Sequence, residues 1–124
     1  MPEYDILKNA LKFFEYDGDT LVRAELEFNA DAPVFDGHFP GNPILPGFCQ
    51  LEIILVLINK ALPGACWKLK KVKNVKFFSP ILPGDRAEYN LEIVEKSSSA
   101  LKVNVHVSIG DTKKSTFKGV YLEA

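Results

Sequence analysis

Cysteine is scarce in this 124-residue chain: Cys49 and Cys66 are the two it has, and they form no CxxC pair. That excludes a disulfide framework and leaves two reduced thiols as the expectation. Histidine is as scarce, with only His38 and His106. Together the four residues offer no metal-ligand spacing. Net charge is −1, too small to commit the whole surface to a charged partner. The longest mostly apolar run, Phe48 to Leu62, is shorter than the about 20 residues a membrane helix needs. The opening MPEYDILKNALKFF lacks a basic stretch followed by an apolar one. No secretory signal is expected there, and the expected location is the cytoplasm. No repeat, low-complexity tract or linker divides the chain, and its length suits one domain, residues 1–124.

Period-two alternation marks several half-buried strands. In TLVRAELEF, Val22, Ala24, Leu26 and Phe28 share a face opposite Arg23, Glu25 and Glu27. RAEYNLEIVEK (86–96) and ALKVNVHVSI (100–109) alternate in the same way, and STFKGVYLEA is a closing strand. WKLKKVKNVKFF (67–78) reads as a strand with a less regular pattern. Turn signals stand between them at YDGDT, KSSSA and GDTKK. From Phe48 to Leu62 the alternation vanishes, Gly and Pro are absent, and LPG and PG punctuate the ends. That predicts a helix of about four turns. A helix apolar on nearly every face is a buried one. The expectation is an α+β domain: two strands, a central buried helix, then four strands. Short links favour antiparallel meander pairing around that helix.

Charge is uneven. Lys68, Lys70, Lys71, Lys73 and Lys76 crowd one strand that carries no acid, leaving the rest of the chain acidic. The cluster suits an anionic partner, or it is a solvated strand face. No motif of a nucleic-acid module and no basic face beyond the cluster accompany it, so nucleic acid is not expected.

The stretch FDGHFPGNPILPGFCQLEIILV holds the chemistry. Pro40, Pro43 and Pro46 recur every third residue, with Gly41 and Gly47 beside two of them, so a rigid loop of unusual path is expected. His38 opens it and Gly47 stands where the helix begins. A helix start has unpaired N–H groups and a positive dipole end, and glycine lets a ligand oxygen approach them. Glu52 lies five residues further on among apolar neighbours, roughly 7 Å along the axis. A carboxyl desolvated in that way tends to carry a proton and can serve as a general acid, while histidine can serve as a base. These are the parts for removing a proton α to a carbonyl and expelling a β-hydroxyl. The residues alone leave other readings open: His38 as a loop histidine with a satisfied ring, Glu52 as a partner to a lysine or at a helix edge. Cys49, at the helix start, is expected in the core rather than as a nucleophile, and His106 is expected in solvent.

GHFPGNPILPG followed by Glu52 closely resembles the active-site signature of the 3-hydroxyacyl-acyl-carrier-protein dehydratases. VKFFSPILPGD (75–85) resembles that family's second signature at its usual spacing. The resemblance covers the chain from about Phe13 onward. It implies the hotdog fold, an antiparallel sheet of about six strands wrapped around one helix. It implies His38 as the base for the α-proton, Glu52 as the acid for the departing hydroxyl, and Gly47 as the N–H donor to the thioester carbonyl. It also implies a homodimer whose two sites each draw on both subunits, with no metal or other cofactor. The acyl group would ride on the phosphopantetheine of acyl carrier protein, or on coenzyme A. Phe39, Phe48, Phe77 and Phe78 become candidates to line an acyl tunnel, or to pack the core. The five lysines become candidates to dock the acidic carrier protein. EIILV stands where the family usually has small residues and a glutamine, so Ile53 and Val56 bear on the width of the tunnel. An RYPF-like leading segment is also missing. Both departures fit a divergent member, such as the stand-alone dehydratases of aryl-polyene and polyketide-like lipid pathways. A hotdog thioesterase and a non-catalytic acyl-binding subunit are the alternatives.

Overall fold

The computed structural model describes residues 6–35 and 43–124. Strands β1 (Leu11–Tyr16) and β2 (Leu21–Glu27) form a hairpin. Its turn is tied by Asp17, whose Oδ1 accepts N–H groups of Asp19, Thr20 and Leu21 at 2.8, 2.9 and 3.0 Å. These bonds, those from Leu21 and Asp19 foremost, hold the carboxyl below the usual carboxylate range. A short 3-10 turn (Pro33–Phe35) follows, then helix α1 (Gly47–Ala61) and strands β3 (Trp67–Phe77), β4 (Arg86–Lys96), β5 (Ala100–Ile109) and β6 (Thr112–Glu123).

The six strands make one antiparallel sheet in the order β1-β2-β4-β5-β6-β3. The meander expected from short links holds for β4, β5 and β6. Strand β3 departs from it: it crosses to the far side and pairs with β6, leaving β2 beside β4. That crossing lets a single helix lie across the concave face between the two halves of the chain.

The irregular pattern of β3 has a local cause. Register shifts fall between Leu69 and Lys71 and between Val72 and Asn74. Each is a bulge that adds a residue to one side of the pair. The bulges keep Leu69, Val72, Val75 and Phe77 opposite Tyr121, Gly119, Phe117 and Ser115, the inward row of β6. The apolar residues of β3 therefore share the core side of the sheet, where α1 reaches the strand at its two ends, Asn59 bonding Trp67 and Gly47 meeting the Phe77 ring. All four are exposed in the single chain.

The core fills the concave face. Val22, Ala24 and Leu26 of β2, Tyr89 and Leu91 of β4, and Val103, Val105 and Val107 of β5 are all buried there. From α1, Cys49, Gln50, Ile53, Ile54, Leu57, Ile58 and Ala61 join them, the three- and four-residue spacing of one helix face. The helix is thus not buried all round. Phe48, Glu52 and Lys60 are exposed, and Leu51, Leu55 and Val56 are half-buried. Asn59 fixes its far end: Nδ2 donates to the Leu55 and Trp67 carbonyls at 3.1 Å each, and Oδ1 accepts the Trp67 N–H at 2.8 Å. Among the described residues no helix is long and apolar enough to cross a membrane.

Candidate active site

The two sequence signatures meet in space. The Leu45 N–H of the first donates to the Ile81 carbonyl of the second at 2.8 Å. In the second, Gly84 has a φ of 85° that suits glycine, and its N–H donates to the Phe28 carbonyl at 2.8 Å. Asp85 closes that turn by accepting the Leu82 N–H at 2.9 Å. The loop so held leads back from Phe77 and Phe78 at the end of β3.

Gly47 is the first residue of α1, after an N-cap proline with no side-chain cap. Its N–H is one of the donors that a helix start leaves without an intrahelical acceptor. A Cβ at position 47 would stand 2.8 Å from Cζ and 3.0 Å from Cε2 of the Phe77 ring. Glycine here is therefore a matter of close approach by an aromatic ring. Around this contact lies a pocket of about 440 Å³ lined by Ile44, Leu45, Gly47, Gln50, Phe77, Phe78, Ser79 and Pro80. The structure thus brings together Gly47, Phe77 and Phe78 of the residues expected from sequence.

It does not bring the others to that pocket. Phe48 is 63% exposed on the helix surface. Glu52 is exposed rather than enclosed by its apolar neighbours in the single chain. At about 100° per residue, Gly47 and Glu52 point about 140° apart around the helix. One chain's Gly47 and Glu52 therefore face different directions. His38 and Phe39 lie outside the described residues. The buried Cys49 thiol is pushed up in pKa, first by desolvation and then by the charge of Glu52, the opposite of an activated nucleophile. His106 is exposed on β5. No group of metal-ligating side chains occurs among the described residues.

Gln50, which no sequence motif singles out, is 4% exposed and lines the pocket. Its Oε1 accepts a hydrogen bond from Ser115 Oγ at 3.0 Å, tying the helix start to β6. The available signal was a polar residue two positions before Glu52 in the apolar first half of the helix. The lysines of β3 are all exposed. Lys68, Lys71 and Lys76 lie in register with Leu122, Val120 and Thr116, on the convex side of the sheet, where Lys118 extends the basic surface.

An antiparallel six-stranded sheet curled around one helix, with two signature loops joined at the helix start, defines a hotdog-fold protein. Residues 15–118 match the family model of the ApeI dehydratase, and the chain belongs to this ApeI-like family. It is 34% identical to the 3-hydroxyacyl-acyl-carrier-protein dehydratase FabZ of Caulobacter vibrioides, over 64% of this chain and 55% of that one. It is 32% identical to the FabZ of Haemophilus influenzae, over 60% and 55%. The chain thus spans little more than half the length of these curated relatives. Among solved structures it is similar to the dehydratase heterocomplex ApeI:P from Xenorhabdus doucetiae. That match has a TM-score of 0.78 at 22% identity, covering 90% of this chain and 96% of that one. An acyl-CoA hydrolase from Staphylococcus aureus shares the fold with a TM-score of 0.65 at 16% identity, over 83% and 64%.

Proposed function

We propose that the chain dehydrates a (3R)-3-hydroxyacyl thioester, carried on acyl carrier protein, to the trans-2-enoyl thioester. The observation that supports this best is the junction of the two signatures, which sets an uncapped helix N–H at Gly47 beside an apolar pocket. In this reading the Gly47 N–H holds the thioester carbonyl and stabilises negative charge on its oxygen as the α-proton leaves. His38 takes that proton. Glu52 gives a proton to the C3 hydroxyl as the C–O bond breaks and water departs. The base ends protonated and the acid ionised, and a proton exchange between them through water restores both. No metal or redox group takes part.

The opposed directions of Gly47 and Glu52 are the reason for a second subunit. A partner laid on the exposed inner side of β3 and the exposed side of α1 would cover Leu69, Val72, Val75, Phe77 and Phe48, large apolar side chains gathered in one region. It would also present its own Glu52 to this chain's Gly47. We take the partner to be a second copy, giving two shared sites. The lysines of β3 favour a second reading of the assembly. Self-pairing of that edge would set like charges against each other, and an unlike hotdog chain would avoid this. The lysines and Lys118 form the docking surface for the acidic carrier protein.

The test is absorbance in the enoyl-thioester band with 3-hydroxyacyl and 2-enoyl thioesters, for wild type, His38→Ala and Glu52→Gln. Interconversion by wild type, lost in both variants with the fold intact, supports the elimination pair. Release of free thiol instead would make the protein a thioesterase. No conversion of any thioester by wild type, carrier-linked ones included, would leave an acyl-binding subunit.

A further inference from the structure

The pocket beside Gly47 has apolar walls and two polar groups whose bonding is incomplete. Gln50 is almost fully buried, and its one hydrogen bond among the described residues is the one its Oε1 accepts from Ser115. Because a hydroxyl donates to the carbonyl oxygen of the amide, the Nε2 end is left as a donor of fixed direction. Ser79, on the loop after β3, lines the same pocket, and its buried Oγ has no partner among the described residues. A buried hydroxyl such as that of Ser79 costs about 1–3 kcal/mol when left unpaired, so a site that keeps it has a use for it. The apolar surroundings, Ile44, Leu45, Phe77, Phe78 and Pro80, make each bond formed there selective.

We propose that Gln50 and Ser79 seat a secondary amide of the thioester's carrier arm. Gln50 Nε2 donates to the amide carbonyl and Ser79 Oγ accepts the amide N–H. A secondary amide offers one acceptor and one donor close together, which is the complement of this pair. A phosphopantetheine-type arm carries such amides next to its thioester, and a plain alkyl thioester has none. Gln50 is in this view a substrate-positioning residue, held by Ser115, that sets the thioester carbonyl against the Gly47 N–H. The inference rests on the thioester reading above and adds the part of the substrate that this pocket recognises.

Two measurements separate the inference from that reading. The first is kinetics on 3-hydroxyacyl thioesters of pantetheine, of N-acetylcysteamine and of ethanethiol, for wild type, Gln50→Met, Ser79→Ala and Ser115→Ala. The expected result is a KM raised about tenfold by loss of one hydrogen bond on the two amide-bearing thioesters. The loss on the ethyl thioester, which has no amide, should be markedly smaller. A parallel loss on all three substrates would mean that Gln50 only supports the fold, and would overturn the proposal, as would no change on any. The second is equilibrium binding of pantetheine itself, which needs no turnover. If wild type turns over nothing yet binds pantetheine about tenfold more tightly than Gln50→Met and Ser79→Ala do, the elimination reading fails and the amide seat stands. Equal binding by all three proteins overturns the seat whatever the kinetics show. Ser79→Ala, in a loop, keeps the test decisive should Gln50→Met fail to fold.

Discussion

Replacing Tyr89 by phenylalanine should make this fold more stable. Tyr89 is 0% exposed, in the inward row between Ala24 and Val107, and its hydroxyl has no hydrogen-bond partner among the described residues. An unpaired buried hydroxyl costs about 1–3 kcal/mol. Removing one oxygen leaves the ring contacts in place and opens only a small void, which takes back part of the gain. A net gain of about 1 kcal/mol at neutral pH is expected, or about 3–5 °C in Tm for a domain of this size. The pH dependence gives a second signature. Burial, and after it the nearby Cys49, pushes the phenol up from its ordinary value. Above pH about 10 the unfolded chain loses this proton while the folded chain keeps it. Wild-type stability should then fall as pH rises, by up to about 1.4 kcal/mol per pH unit from this group. Tyr89→Phe lacks that component, so its advantage should widen between pH 10 and 11. Tyr121, buried and pushed up in the same way by desolvation, continues to contribute in both proteins. Urea unfolding at pH 7, 10 and 11, at one protein concentration because assembly adds stability, measures all of this. A Tyr89→Phe protein less stable than wild type by more than about 0.5 kcal/mol at pH 7 would refute the reasoning. The hydroxyl would then have a partner such as a buried water.

Gly47→Ala should push the Phe77 ring out of its seat and lower kcat/KM by up to about 100-fold, since misplacement of about 1 Å can cost that much. The double variant with Phe77→Leu should recover part of the loss in the enoyl-absorbance assay. Asn59→Leu removes three hydrogen bonds between α1 and the start of β3, and urea unfolding should show a loss of about 2–3 kcal/mol. Val72→Glu puts a charge on the uncovered apolar side of β3 without touching the chain's own core. Light scattering should report a monomer with unchanged circular dichroism, and a surviving dimer would place the interface elsewhere. Lys71→Glu with Lys73→Glu should raise KM on carrier-linked thioesters and leave pantetheine thioesters alone, with the difference fading as salt is added.

The strands were legible because one face of each meets the core and the other meets water. Val103, Val105 and Val107 alternate with Lys102, Asn104 and His106 in the sequence, and their burial alternates in the same way. The helix ends were legible from Pro and Gly. The course of β3 was not, because two bulges break its period, and the choice between a neighbouring strand and a distant one is made by the whole sheet. The Gly47–Phe77 contact was out of reach for a related reason. Both residues were singled out, but nothing local says that position 77 returns to position 47.

Helix α1 is the most instructive element. It carries apolar residues on more sides than its own sheet encloses. The sheet covers only the side of Cys49, Gln50, Ile53, Ile54, Leu57 and Ile58. Phe48, Leu51, Leu55 and Val56 make the second apolar side, and Glu52 sits among them. Hydrophobic pattern records how much surface must leave water, not which chain removes it. Strand β3 carries the same surplus in Leu69, Val72 and Val75. Two elements with uncovered apolar sides, one bearing the only carboxylate of the helix, call for the same cover. In the proposed assembly the acid and the helix start of one chain would each meet its counterpart across that cover. On that proposal the partner that hides the apolar side is also the one that completes the chemistry.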